Sequence, residues 1–181
     1  AIVWQCRRTE PIVAALKQAG QEEFFQQKTG LLLDPYFSGT KFKWQLDNVN
    51  GLRAEVSAGK AIAGTVDTYL IWKLTQGAAH VTDVSNASRT LLMDLSSLEW
   101  DQELCSLLSV PLAMLPKICS CAEIYGYTRN VPGLPDDIPV CGLAGDQQAA
   151  LFGQACFKEG EAKCTYGTGG FLLMNTGDRP I

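Results

Sequence analysis

The sequence predicts a mixed α/β chain. Three observations carry this. Segments with apolar residues at helical spacing recur along the chain, as in EPIVAALKQAG at 10–20. Short apolar runs bounded by turn residues lie between them. Near the C-terminal end, the run 140–143 stops at Gly145-Asp146 and an alanine-rich helical pattern begins at once, which is how a strand hands over to a helix.

Taken in order, AIVW at 1–4 reads as a strand. Residues 10–20 form a helix stopped by Gly20, and a second helix over 21–28 is closed by Gly30. DPYFSGT at 34–40 is a loop. The helix over 41–49 places Phe42, Leu46 and Val49 on one face, and LRAEVSAG adds a further helical piece. AIAGTV at 61–66 is short and apolar, and Asp67 is placed to cap a helix over 68–77. SRTLLMDL at 88–95 reads as a strand. Residues 97–110 are amphipathic, and PLAMLP follows. With three prolines and two glycines, 126–139 is a loop. A strand at 140–143, a helix at 147–155 and a hairpin across 162–175 complete the order. Trp44, Trp72 and Trp100 are assigned to packing.

Composition narrows the function classes. With 46% hydrophobic and 19% charged residues in 181, the chain has an ordinary globular profile and is long enough for a sizeable core. The net charge of −4 and the lack of a Lys/Arg stripe argue against nucleic acid and anionic membrane as partners. No apolar run approaches the length of a membrane span, and no secretory signal pattern opens the chain. The seven cysteines include no C-x-x-C pair, and His80 is the only histidine, so no metal site is expected. The cysteines read as reduced thiols of a cytoplasmic protein. The chain opens in mid-strand and closes on DRPI, which reads as an internal fragment of a larger protein.

Two stretches bear on chemistry. Asp146 stands where open α/β folds bind ligands, at the carboxyl end of a strand. It reads either as the cap of the following helix or as a general base facing a cleft. Gln147 and Gln148 add amides at the same place. In YGTGG at 166–170, the glycines around Thr168 either let the backbone approach a phosphate or supply a hairpin turn that needs positive φ. Neither nucleotide fingerprint, the Walker loop or G-x-G-x-x-G before a helix, is present.

Six stretches in this order, AIVWQCRRT, DPYFSGTK, GTVDTYLIWKLT, VTDVSNASRT, AGDQQAALFGQ and TYGTGGFLLMNTG, together resemble the glycerol-phosphorylating members of the FGGY carbohydrate kinase family. The resemblance spans essentially the whole chain. It implies an actin-like (ribonuclease-H-like) ATPase fold, with 1–159 the later part of the N-terminal domain and 160–181 the start of the second. It implies ATP-dependent phosphorylation of glycerol to sn-glycerol 3-phosphate with Mg2+, in a cytoplasmic protein that is a homo-oligomer at full length. Carried over by residue, Asp146 matches the general base and Gln147 a residue that hydrogen-bonds the polyol. Tyr36 matches a tyrosine that binds a glycerol hydroxyl, Trp4 and Phe171 match aromatics that wall the carbon chain, and Thr168 and Gly169 match the phosphate-side turn near ATP. Cys6 stands where many sugar kinases of the family carry Asp, and Gln45 replaces a usual aliphatic residue. The family's upstream phosphate loop and downstream adenine half are not within these residues, so the fragment alone is expected to be inactive. The other readings are a pentulose kinase of the same family, which would need a larger site than Trp4, Tyr36 and Phe171 suggest, and a non-catalytic actin-like regulatory module.

Overall fold

The structure, a computed structural model, describes residues 1–178. The last three residues of the expected 160–181 segment lie outside the described residues. The chain divides into two compact units, Ala1–Leu143 and a second beginning at Ala144.

In the first unit, α1 (Glu10–Gln18) and α2 (Glu22–Thr29) form as the periodicity predicts. Gly30 caps α2 at φ 69°, a left-handed turn that a side chain would strain. The opening AIVW is not a strand. Its backbone turns instead, with Cys6 N–H donating to Val3 C=O at 3.1 Å, and among the described residues no strand pairs with it. A strand is stable only when its polar backbone groups find a partner. α3 (Ser38–Asn48) begins inside the expected loop. Phe42 and Leu46 are buried on its inner face, whereas Val49 is the C-cap and is exposed. α4 (Leu52–Ser57) follows. Residues 61–64 are irregular, and α5 (Val66–Leu74) is preceded by Thr65, not Asp67, at the N-cap position. Asp67 lies in the first turn, where it is buried and accepts hydrogen bonds from Thr65 and, at 2.6 Å, Thr82.

The sequence reading missed the parallel pair β1 (Val81–Asp83) and β4 (Lys117–Cys119), whose register places Asp83 opposite Cys119. Each has only three residues, too few for a two-residue alternation to show. Between them, the expected strand 88–95 shrinks to β2 (Met93–Asp94), paired with β3 (Glu99–Trp100). The amphipathic stretch supplies α7 (Gln102–Leu107), capped by the Asp101 carboxylate, and a 3-10 turn at Leu112–Met114. β5 (Gly126–Tyr127) and β6 (Pro139–Val140) clamp the base of the proline-rich loop. The expected strand 140–143 is limited to that short β6. The main core gathers Val13, Phe25, Leu33, Leu46, Leu92 and Leu104. A smaller one joins Ile71, Ala79, Cys119 and Tyr125. Trp100 packs on the main core and donates to Pro116 C=O at 2.6 Å, while Trp72 remains 39% exposed, so packing describes the first better than the second.

Asp83 joins the pieces of the smaller core. It is fully buried at the end of β1 and starts α6 (Val84–Ala87), accepting from Ser85 N–H at 2.8 Å and from the Asn86 amide at 2.6 Å. The Ser85 hydroxyl and the Cys121 thiol, the latter at 3.1 Å, complete its shell. Burial pushes its carboxyl up, but the bonds from Ser85, Asn86 and Cys121 together outweigh burial and hold it below the ordinary carboxylate value.

The second unit holds α8 (Asp146–Gly153) and an antiparallel hairpin, β7 (Ala162–Tyr166) and β8 (Gly170–Met174), as expected. The register pairs Lys163 with Leu173 and Thr165 with Phe171.

A depressed carboxylate contributes stability above its unfolded value of about 3.9 and loses it as pH falls through the lower folded value. Asp83→Asn should therefore lower stability by about 1–2 kcal/mol at pH 7, the scale of a lost cap. The deficit should narrow as pH drops below about 4, since the parent then loses the same contribution. Thermal unfolding of both proteins from pH 7 to pH 3 checks this; a deficit that stays constant would contradict it.

Candidate active site

The candidate residues fall in both units, and each group is built by its own local structure. In the first unit the segment before α3 is fixed through its main chain. Asp34 Oδ1 accepts the Tyr36 N–H at 2.7 Å, and Lys41 Nζ donates to the Tyr36 C=O at 2.8 Å. Lys41 is only 5% exposed. Burial lowers its pKa from the ordinary lysine value, with Cys6 and Asp34 acting the other way. Gly39 completes the turn. Its N–H donates to Thr90 C=O at 2.7 Å, and a Cβ there would lie 2.4 Å from that same oxygen. Only glycine lets α3 start this close to residue 90.

So held, Tyr36 meets Trp4 edge-on, ring centroids 5.6 Å apart, and Phe37 at 5.1 Å. The Arg89 guanidinium lies 5.9 Å from the centre of the Phe37 ring. Burial lowers the Arg89 pKa, and Tyr36 opposes that shift. Trp4 is 44% exposed, so it is not a core residue. Beside it, the Arg8 backbone and then its side chain hold the Cys6 thiol below its ordinary value, against burial; Arg8 Nε lies 3.0 Å from Cys6 Sγ. The two aromatics singled out in this unit are thus brought together.

In the second unit Asp146 is the first residue of α8, and buried Gly145 occupies the N-cap position with no side-chain cap. The helix therefore does not use the Asp146 carboxylate as its cap, and the side chain is exposed. Its position in the first turn suits a negative charge, because the free N–H groups of the helix start are positive. Gln147 Nε2 donates to Asp146 Oδ2 at 3.0 Å. Lys163, 7% exposed on β7, donates to Gln147 Oε1 and, at 2.8 Å, to the Thr165 hydroxyl. Directly opposed residues share a face of a hairpin. Lys163, Thr165, Phe171 and Leu173 thus line one face, which carries both the wall candidate Phe171 and the lysine bound to Gln147.

Thr168 is exposed in the three-residue turn between β7 and β8, where Gly167 N–H donates to Gly169 C=O at 3.1 Å. The glycines of this turn are not there for left-handed backbone: none of Gly167, Gly169 and Gly170 has positive φ. At Gly169 the constraint is a contact instead: a Cβ on it would lie 2.8 Å from the Phe171 ring, which would have to move aside. Among the described residues no group of three His, Cys, Asp or Glu side chains is placed to hold a metal ion, and no helix is long and apolar enough to cross a membrane.

Asp34, Lys41, Arg89 and Lys163 escaped the sequence reading as site-shaping residues. For Lys163 a signal existed: it shares strand parity with Thr165 and faces Leu173 and Phe171, an unusual place for a cation. Nothing in local spacing marks Arg89, which meets Phe37 only through the tertiary fold.

Residues 1–153 match the model of the FGGY family of carbohydrate kinases, N-terminal domain. The whole chain is 61% identical to a glycerol kinase of Myxococcus xanthus and 56% identical to one of Staphylococcus haemolyticus, covering 36% of each. A crystal structure of Plasmodium falciparum glycerol kinase with ADP superposes with a TM-score of 0.93 at 42% identity, over 99% of this chain and 36% of that one. The chain thus spans about a third of the length of the relatives it matches.

The Gly39 contact gives a direct test of the Tyr36 scaffold. Gly39→Ala forces a methyl against a backbone oxygen and should cost about 1–3 kcal/mol, the usual range for overpacking. Gly142→Ala meets nothing within 4 Å and should stay within about 1 kcal/mol of the parent. Parallel thermal unfolding distinguishes them; equal effects would mean α3 does not need the close approach.

Proposed function

The chain belongs to the FGGY family of carbohydrate kinases, and from that premise we propose that it is part of an ATP-dependent glycerol kinase. The observation that carries the reading is the Asp146 carboxylate, exposed at the head of α8 and not spent on capping it. The whole-length similarity to glycerol kinases supports the substrate. Residues 1–159 belong to the N-terminal family domain in this reading, and the second domain starts at 160.

The chemistry follows from the side chains. Phosphoryl transfer asks a protein mainly for positioning and electrostatic support. Asp146 accepts the proton of the attacking glycerol hydroxyl as that oxygen bonds to the γ-phosphorus and the bond to the leaving ADP oxygen breaks. Gln147 and Tyr36 hydrogen-bond the polyol. Trp4 and Phe171 supply apolar surface for its C–H groups, the combination a small polyol needs. Thr168 and Gly169 lie on the nucleotide side, and ATP enters with Mg2+ on its phosphates as the donor substrate. The seven free thiols suit a reducing compartment, so we place the full-length protein in the cytoplasm, as a homo-oligomer.

In the full-length protein carrying this sequence, Asp146→Asn should fold normally and lose about 10²–10⁴-fold in kcat, the usual contribution of a general base. Near-normal turnover would overturn the assignment. Phe171→Ala should mainly raise the KM for glycerol, because it removes wall contact and leaves the proton path in place. The 181-residue chain alone should form no glycerol 3-phosphate from glycerol and ATP, since it covers about a third of its relatives' length; product formation by the purified chain would show that these residues suffice.

A further inference from the structure

We infer that Lys163 is a positioning residue for the phosphoryl-transfer site, acting on Asp146 through the side-chain amide of Gln147. The inference rests on the reading of Asp146 as the base and of Gln147 as a polyol ligand.

The argument is one of donors and acceptors. A lysine ammonium carries three N–H donors and no acceptor. Lys163 is buried on the inner face of the hairpin, and two of its contacts go to Gln147 Oε1 and Thr165 Oγ1. A primary amide has one oxygen and one NH2 group, so an ammonium on one end settles which end is which. With the oxygen held by Lys163, the NH2 is turned to Asp146, and it donates to Oδ2 at 3.0 Å. Were the amide reversed, its oxygen would face the carboxylate and its NH2 the ammonium, acceptor against acceptor and donor against donor. Lys163 therefore sets the direction of every bond in the row.

Two consequences follow for the reaction. The carboxylate of Asp146 is held at one oxygen by a neutral donor, which leaves its second oxygen for the substrate proton. The second hydrogen of the Gln147 NH2 makes Gln147 a donor toward a glycerol oxygen. Thr165, opposite Phe171 in the hairpin, anchors the ammonium on the same face as the apolar wall. Lys163 touches no reacting atom in this arrangement.

The experiment uses the full-length kinase with Lys163→Met, Gln147→Ala, their double variant, Gln147→Glu and Asp146→Asn. The readouts are kcat, KM for glycerol, KM for ATP and thermal unfolding. Lys163→Met should lower kcat/KM for glycerol about tenfold or more, the scale of a lost hydrogen bond to a charged group, with the KM for ATP unchanged. In the Gln147→Ala background the same change should cost less than about twofold, because coupled residues are not additive. Gln147→Glu keeps an oxygen for Lys163 but has no N–H for Asp146. It should lose activity as Gln147→Ala does, and parent-like kinetics in it would overturn the positioning role even if Lys163→Met fails to fold. Multiplicative effects of the Lys163 and Gln147 changes, or parent-like kinetics in Gln147→Glu, overturn the positioning role while an inactive Asp146→Asn leaves the base in place. Near-normal turnover in Asp146→Asn removes the base and the positioning role together.

Discussion

The smaller core of the first unit is organised around a carboxylate that cannot be left unpaired. Asp83 is fully buried, and an isolated buried charge would cost far more than any single contact in the unit can return. Its partners come from two places in the chain: Ser85 and Asn86 of α6, and Cys121 beyond β4. Satisfying it therefore fixes where β1 ends, how the following turn runs, and where the chain after β4 must pass. Cys121 completes the arrangement as a neutral donor, since burial and then the bond to Asp83 raise its pKa. A sheet of two three-residue strands has little strength of its own; this buried polar cluster is what gives it a defined end.

The same logic recurs at the site residues. Tyr36 is held by a carboxylate on its N–H and an ammonium on its C=O, and Asp146 is approached through an amide whose direction a buried ammonium selects. In the proposed reading such rigid polar tethers suit phosphoryl transfer, in which small displacements of the reacting groups are costly. The apolar partners, Trp4 and Phe171, are only partly buried. They offer surface, and the charged residues behind them provide the geometry.

Much of this was legible in the sequence, unevenly. Helices α1 and α2 follow from periodicity and a closing glycine, and α8 and the hairpin from the switch at Gly145-Asp146 and the turn at 167–169. The family was readable from six ordered stretches, and with it Trp4 and Tyr36 as neighbours. Short strands were not readable. β1 and β4 are stabilised by pairing between residues more than thirty positions apart, and three residues carry no period. AIVW has strand composition, but among the described residues no strand pairs with it. Asp67 has the chemistry of a cap, yet Thr65 holds that position and the carboxylate turns inward to Thr82. YGTGG showed that glycine was needed at the turn, but not that the reason at Gly169 was the Phe171 ring. Except at Gly169, where the neighbour lies two residues on, the missing information was whether a tertiary contact forms.

The tethers on Tyr36 have one more consequence. Both grip main-chain atoms, and the glycine at 39 that seats α3 is likewise a main-chain requirement. None of them senses which side chain position 36 carries. The path of the polypeptide there is set by main-chain bonds, so a change of side chain at 36 alters the surface it displays while those bonds stay in place. What a substitution at 36 gives up is the ring contact with Trp4 and Phe37, not the main-chain hold beneath it.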